Sequence, residues 1–179
     1  MELCDPYTHA QCNVIAFVNK HFNKRSVLRK SPHKWYDPRG GKDFLKNVYG
    51  SFTKHFSNFD NLHLPSSMMK STFDRVWEME PELLDRTCRN KFRQLEDVNQ
   101  YIMSDYHLCT GQFYPRRANF GKCYGIGRNR EQMYRDILTG EHKTICINDN
   151  AGDFDFEAEK RGLLSVYERK FPNKSSFEL

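Results

Sequence analysis

Thr144-Ile-Cys-Ile-Asn-Asp-Asn150 decides how the chain is read. Four β-branched or small apolar residues run without alternation and then give way abruptly to three polar ones. An unalternating apolar run of this kind predicts a short buried strand, and the Asn-Asp-Asn that follows predicts a turn at its carboxyl end. Working outward, Asn129 is placed to cap a helix running to Leu138, with Gly140 to close it. On the other side, Asp153 or Asp155 can cap a last helix that reaches Phe171 and stops at Pro172. A strand between two helices is the punctuation of a small α/β element.

The rest of the sequence is mostly helical in texture. Residues 9–22 place Val14, Phe17 and Val18 on one stripe, and residues 42–54 place Phe44, Leu45, Val48, Tyr49 and Phe52 at the same spacing. Ser66 or Ser67 can cap a helix through Met69, Phe73, Val76 and Trp77, and Pro81 can open the next one through Leu83 and Leu84. Glu96 to Leu108 reads as a further helix with Val98, Tyr101, Ile102 and Tyr106 inward. Gly111 to Pro115 and Asn119 to Gly127 read as short strands or extended turns. The expected fold class is α+β, predominantly helical with a few short strands, and residues 1–179 form a single unit.

With 179 residues, 38% hydrophobic and 14% aromatic, the chain has enough buriable surface for a core, which excludes disorder along its whole length. Its longest apolar run, Val14 to Val18, is far short of the roughly 20 residues of a membrane span. The first residues lack a secretion signal, so a cytoplasmic location is expected. Six scattered cysteines without a Cys-x-x-Cys pair read as reduced packing residues, and Cys4, His9 and Cys12 lack a fourth zinc ligand. Residues 1–56 hold ten Lys/Arg against four Asp/Glu, a net of +6, within an overall +5. This basic front section suits phosphates, anionic polymers or the face of an anionic membrane. No nucleic-acid-binding motif accompanies it, so no nucleic-acid partner is expected.

Three polar constellations can carry chemistry. In Asn61-Leu-His-Leu-Pro65, Pro65 restricts its predecessor and so can fix His63, whose imidazole is suited to taking a proton from a hydroxyl. In Phe92-Arg-Gln-Leu-Glu-Asp-Val-Asn99, Arg93 stands just ahead of the expected helix, where a guanidinium adds to the dipole as a phosphate clamp. Asp97 and Asn99 are placed in the first turn to orient Arg93 or reach a cation. In Ile145 to Asn150, the strand end projects the oxygen donors that hard divalent cations prefer. Each has a plainer reading: a solvated loop histidine, an N-cap with a salt bridge, and an Asx-rich turn. Gly121 to Gly127 fits neither established glycine fingerprint, and His107 and Cys109 read as packing residues.

In order along the chain, these pieces resemble the C-terminal half of the Stealth family of polysaccharide phosphotransferases. The likeness is carried by His63-Leu-Pro65, Glu80-Pro-Glu-Leu-Leu84, Lys91-Phe-Arg-Gln-Leu-Glu-Asp-Val-Asn99, Gly111-Gln-Phe-Tyr-Pro115, Ile145-Cys-Ile-Asn-Asp-Asn150 and Phe171 to Glu178. The resemblance implies the C-terminal half of an α/β Stealth-type catalytic domain. It implies transfer of a sugar 1-phosphate from a UDP-sugar to a hydroxyl of a capsular or cell-surface polysaccharide acceptor, with UMP leaving. By it, His63, Arg93 and Asp97 are catalytic candidates, Lys91, Asn99, Asn148 and Asn150 substrate-binding ones, and Asp149 a ligand for a divalent cation, Mg or Mn. The donor-site motifs of the family's N-terminal half have no counterpart here, so the resemblance implies a protein truncated to its second half, a split-gene product, or a subunit whose partner chain supplies the rest. The alternatives are a non-catalytic basic helical module that binds anionic glycan or acceptor, and an inactive remnant.

Overall fold

The computed structural model describes residues 6–115, 118–149 and 154–177, with the side chains of residues 6, 7 and 118 outside that description. The architecture is predominantly helical α+β, with one two-stranded parallel sheet. The chain groups into two compact units: Met1–Asn61 with Ser66–Arg117, and Leu62–Pro65 with Ala118–Leu179.

The first unit holds α1 (Pro6–His21), α2 (Lys24–Lys30), α3 (Pro32–Trp35), α4 (Lys42–Gly50), α5 (Lys70–Met79), α6 (Pro81–Arg89) and α7 (Tyr101–Thr110). The predicted α1 stripe is the core: Val14, Phe17 and Val18 are buried, each contributing about 1.5–3 kcal/mol. Asn19 fastens the later loop to this helix, its amide donating to the Phe56 carbonyl at 2.8 Å and its oxygen accepting from the Phe56 amide at 2.9 Å. Trp35 then meets Phe56, Phe59 and Phe113 at ring separations of 6.2, 6.3 and 5.3 Å.

One cation of the basic front section works inside the protein. Lys24 is buried, and its Nζ donates to the Gly50 carbonyl (2.6 Å), Thr53 Oγ1 (2.6 Å) and the His55 carbonyl (3.1 Å), beside the Phe56 ring. It thereby serves the open C-terminus of α4, where free carbonyls favour a positive charge. Burial lowers its pKa. α4 itself buries no residue, and Leu45, Tyr49 and Phe52 of the predicted apolar face are exposed.

Two helix starts differ from expectation. α5 begins at Lys70, because the Ser66 hydroxyl bonds Ser104 Oγ at 3.0 Å instead of capping. α7 begins at Tyr101, not Glu96. Asn99 Oδ1 accepts from the Tyr101 amide at 3.1 Å, and the preceding residues are held in a non-helical loop by Asp97. α7 ends on Gly111 at φ 77°, a left-handed position that costs glycine nothing.

The second unit holds β1 (Gly121–Gly125), α8 (Arg130–Thr139), β2 (Thr144–Asn148) and α9 (Phe156–Lys170). The strands pair in parallel, Gly121 with Thr144 through Gly125 with Asn148. Tyr124, Ile145 and Ile147 share one face and pack with Met133, Ile137 and Val166 of the helices. Expected as buried, β2 is half-buried throughout, since among the described residues the sheet has one other strand and the helices pack on one of its faces. Asp155 caps α9, its carboxylate accepting from the Ala158 amide at 3.0 Å.

Asp105, on α7, is fully buried, and neither of its carboxylate oxygens has a well-formed hydrogen bond. Burial pushes its pKa up to about 7, with the Asn61 side chain drawing it back. The unfolded carboxyl titrates near ~3.9, so between about pH 4 and 7 the folded state holds the extra proton. Stability is then highest at the acid end and declines as pH rises through that window. Asp105→Asn is expected to raise the thermal midpoint, with a gain that grows from pH 4 to 7 and then levels off. Calorimetry of both proteins across that range checks it, and a pH-independent difference contradicts it.

Candidate functional site

Side chains alternate along a strand, so the register assigns Gly121, Cys123, Gly125, Thr144, Cys146 and Asn148 to the face opposite the helices. Leu64 lies on that face. A Cβ on Gly121 would sit 2.6 Å from Leu64 Cδ1 and would collide with Thr144 Oγ1. The absent side chain is what lets Leu64 seat there. His63, the neighbouring residue, is the centre of a three-residue turn closed by the Leu64 amide donating to the Leu62 carbonyl at 2.8 Å. The imidazole is exposed at its apex. The turn carrying His63 is therefore fastened to the same sheet face on which Asn148 stands.

Asn148 is the last residue of β2, and its carbonyl accepts from the Ile126 amide at 2.8 Å, which ties the two strand ends together. Asp149 follows, exposed. The amide oxygen of Asn148 and the carboxylate of Asp149 are hard donors at the carboxyl ends of parallel strands, a donor set that fits a divalent cation. Asn150 lies outside the described residues. Elsewhere in this unit, Arg130 at the start of α8 pairs with the buried Glu159 of α9.

The second predicted constellation belongs to the first unit and has a different construction from the one expected. Asp97 is buried, and both its oxygens are engaged: Oδ1 accepts from the Asn90 amide at 2.7 Å and Oδ2 from the Gln94 backbone N–H at 2.7 Å. Asn13 of α1 adds two bonds, donating to the carbonyls of Leu95 (2.7 Å) and Asp97 (2.9 Å). This carboxylate clamps a loop. Arg93 rides exposed on that loop, eight residues before α7 rather than at its N-terminus, and makes no ion pair among the described residues. Lys91 is exposed with its Nζ 5.5 Å from the Phe92 ring centre. Asn99 is half-buried and caps α7, with its amide nitrogen unpartnered.

The packing reading of His107 holds: it is buried and its Nε2 lies 2.6 Å from Thr72 Oγ1. Sequence reading missed the polar network of the second unit. Asp136 accepts from the Tyr124 hydroxyl (2.8 Å), the His142 amide (2.9 Å) and the His142 imidazole (2.7 Å). Burial alone would raise Asp136; these bonds together outweigh it and leave the carboxyl below its ordinary value. With Glu141 these groups make a cluster of potential metal ligands, but the Asp136 oxygens are already filled by protein donors. A Tyr-to-His spacing across a strand and a helix has no periodic signature, which is why it escaped notice.

Residues 135–179 match the Stealth protein CR4 description, conserved region 4 of that family. The chain is similar to the capsular polysaccharide phosphotransferase WcwK of Streptococcus pneumoniae, 34% identical over 166 residues, which is 93% of this chain and 50% of that protein. It is equally similar to the exopolysaccharide phosphotransferase cps2G of Lactiplantibacillus plantarum, 34% over 175 residues, 97% of this chain and 52% of that one. The capsular polysaccharide phosphotransferase SacB of Neisseria meningitidis serogroup A is 30% identical over 160 residues, 78% of this chain and 28% of its own length. No solved structure matches significantly. The match to conserved region 4 and the similarity along the chain to these phosphotransferases agree with the resemblance that the ordered motifs carry. The chain spans about half the length of the first two of these relatives.

Two substitutions check these geometries. Gly121→Ala is expected to cost about 1–3 kcal/mol by overpacking and to release the His63 turn, seen as faster amide exchange at Leu64. Asp97→Ala is expected to cost about 1–3 kcal/mol by stranding buried donors, with faster exchange at Gln94. Unchanged exchange at either amide contradicts the corresponding anchor.

Proposed function

We propose that this chain is the C-terminal half of a polysaccharide phosphotransferase. It transfers sugar 1-phosphate from a UDP-sugar to a hydroxyl of a capsular or cell-surface polysaccharide, and it acts together with the family's N-terminal half. The observation that carries this reading is the fastening of the His63 turn to the sheet face that ends in Asn148, in a chain similar along its length to proteins named for phosphotransfer. In the proposed reaction His63 takes the acceptor hydroxyl proton as that oxygen bonds the sugar-bearing phosphorus. The bridge to the second phosphorus breaks and UMP carries away the electron pair. Arg93 neutralises the charge gathering on the phosphate, with Lys91 beside it. Asp97 contributes by holding the Arg93 loop. Asn99 stands in the same loop, and Asn148, with Asn150, binds the nucleotide sugar. A divalent cation, Mg or Mn, would be held by Asp149 and Asn148 and would supply further charge neutralisation. Phosphoryl transfer asks mainly for positioning and charge compensation, which these residue types provide.

No described helix is long and apolar enough to cross a membrane. The proposed site of action is the cytoplasmic face of the cell membrane. α4 and the turn after it support that contact: Leu45, Tyr49 and Phe52 are each exposed, with Lys42, Lys46 and Lys54 in the same stretch of sequence. Apolar side chains with flanking lysines suit an anionic bilayer surface.

The test is UMP release from a panel of UDP-sugars with acceptor glycan, for the chain alone and with a co-produced N-terminal half. Release is expected with the pair, and His63→Ala or Arg93→Ala should lower kcat by at least about 100-fold with the fold intact by circular dichroism. Folded protein that releases no UMP in any combination overturns the reading.

A further inference from the structure

We propose that Cys123 and Cys146 form a redox-responsive dithiol, a modification site at which a peroxide joins the two thiols in one cross-strand disulfide. They are register partners on adjacent parallel strands, so both side chains leave the sheet on the same face. Neighbouring strands run ~4.8 Å apart, within the roughly 4.4–6.8 Å between Cα atoms that a disulfide spans. The pair is within reach of solutes, Cys123 being exposed and Cys146 half-buried. Gly121 and Gly125 flank Cys123 on this face, and Leu64 seats over the Gly121 end. The other described cysteines lack such a partner: Cys12 and Cys88 are exposed on α1 and α6, and Cys109 is buried on α7.

Each thiol shapes the other's chemistry. Burial first, then the hydrogen bond with Cys146, raises the Cys123 thiol above its ordinary value. A thiolate formed on the pair has the partner's S–H beside it as a hydrogen-bond donor. That thiolate attacks the peroxide oxygen, the O–O bond breaks, and a sulfenic acid and one water result. The second thiol then attacks the sulfenic sulfur, its proton leaving with the hydroxyl as another water. Two thiols are oxidised and one peroxide is reduced. A thiol reductant reverses the link by exchange.

The location gives the modification its meaning. The pair lies on the face where Leu64 seats at one end and Asn148 stands at the other, with Cys146 two residues before Asn148. A covalent link there fixes the strand ends and changes the floor beside the His63 turn. This consequence rests on the function proposed above; the thiol chemistry does not.

The experiment treats the reduced full chain with hydrogen peroxide, alkylates the remaining thiols, and maps tryptic peptides by mass. The expected product joins residues 123–128 to residues 144–160 and exceeds any other cysteine pair at least tenfold. It disappears with dithiothreitol and is absent from Cys146→Ser. If both cysteines stay alkylatable, or reach sulfinic and sulfonic acids without linking, the proposal is overturned. Because the readout is a bond in the native chain and not turnover, its failure is distinct from failure of the phosphotransferase reading.

Discussion

Two strands that run in the same direction cannot be joined by a hairpin, so pairing Gly121–Gly125 with Thr144–Asn148 obliges the chain to cross over between them. α8 makes that crossing and brings its own apolar side chains with it. Met133 and Ile137 then cover one face of the sheet with Tyr124, Ile145 and Ile147, and the other face keeps only small or polar residues. The same pairing puts Gly125 and Asn148 side by side at one edge. From one register come the core, the open face, the facing cysteines and the oxygen donors at the strand ends.

A two-stranded sheet has little stability of its own in water. The second unit compensates with buried polar bonds. Tyr124 on β1 and His142 just before β2 converge on the Asp136 carboxylate of α8. Glu159 of α9 pairs with Arg130 of α8. Each buried bond contributes on the order of 1 kcal/mol net and exacts more when one partner is removed. The first unit depends more on apolar burial, with Lys24 and Asn19 bonding part-buried carbonyls.

Helices with a regular apolar stripe or a local cap were legible: α1 from Val14, Phe17 and Val18, α9 from Asp155, and α8 from the glycine that closes it. The sites were legible as residue types but less so as constructions. Glu96 and Asp97 look like the acidic first turn of a helix. The Asp97 carboxylate instead turns inward to Asn90 and Gln94, a partnership seven and three residues back that no periodic pattern announces. The expected Ser66 cap failed for a similar reason, since its partner Ser104 is far along the chain. The exposed face of α4 shows the reverse case, an apolar stripe with no core against it. Periodicity reports which residues share a face, not what that face meets.

The two candidate loops reach the same end by different means. The Arg93 loop is held from inside by a buried carboxylate and by Asn13, which leaves its guanidinium outside the network. The His63 turn is held by its own backbone bond and by Leu64 seated on Gly121, with His63 at its exposed apex. In both, the immediate neighbours of the residue suited to chemistry fix the backbone that carries it. Fixing the backbone before ligand arrives reduces the entropy that binding must remove, and that is worth most for a reaction governed by placement of charge. A loop histidine or arginine that was merely solvated would need neither anchor.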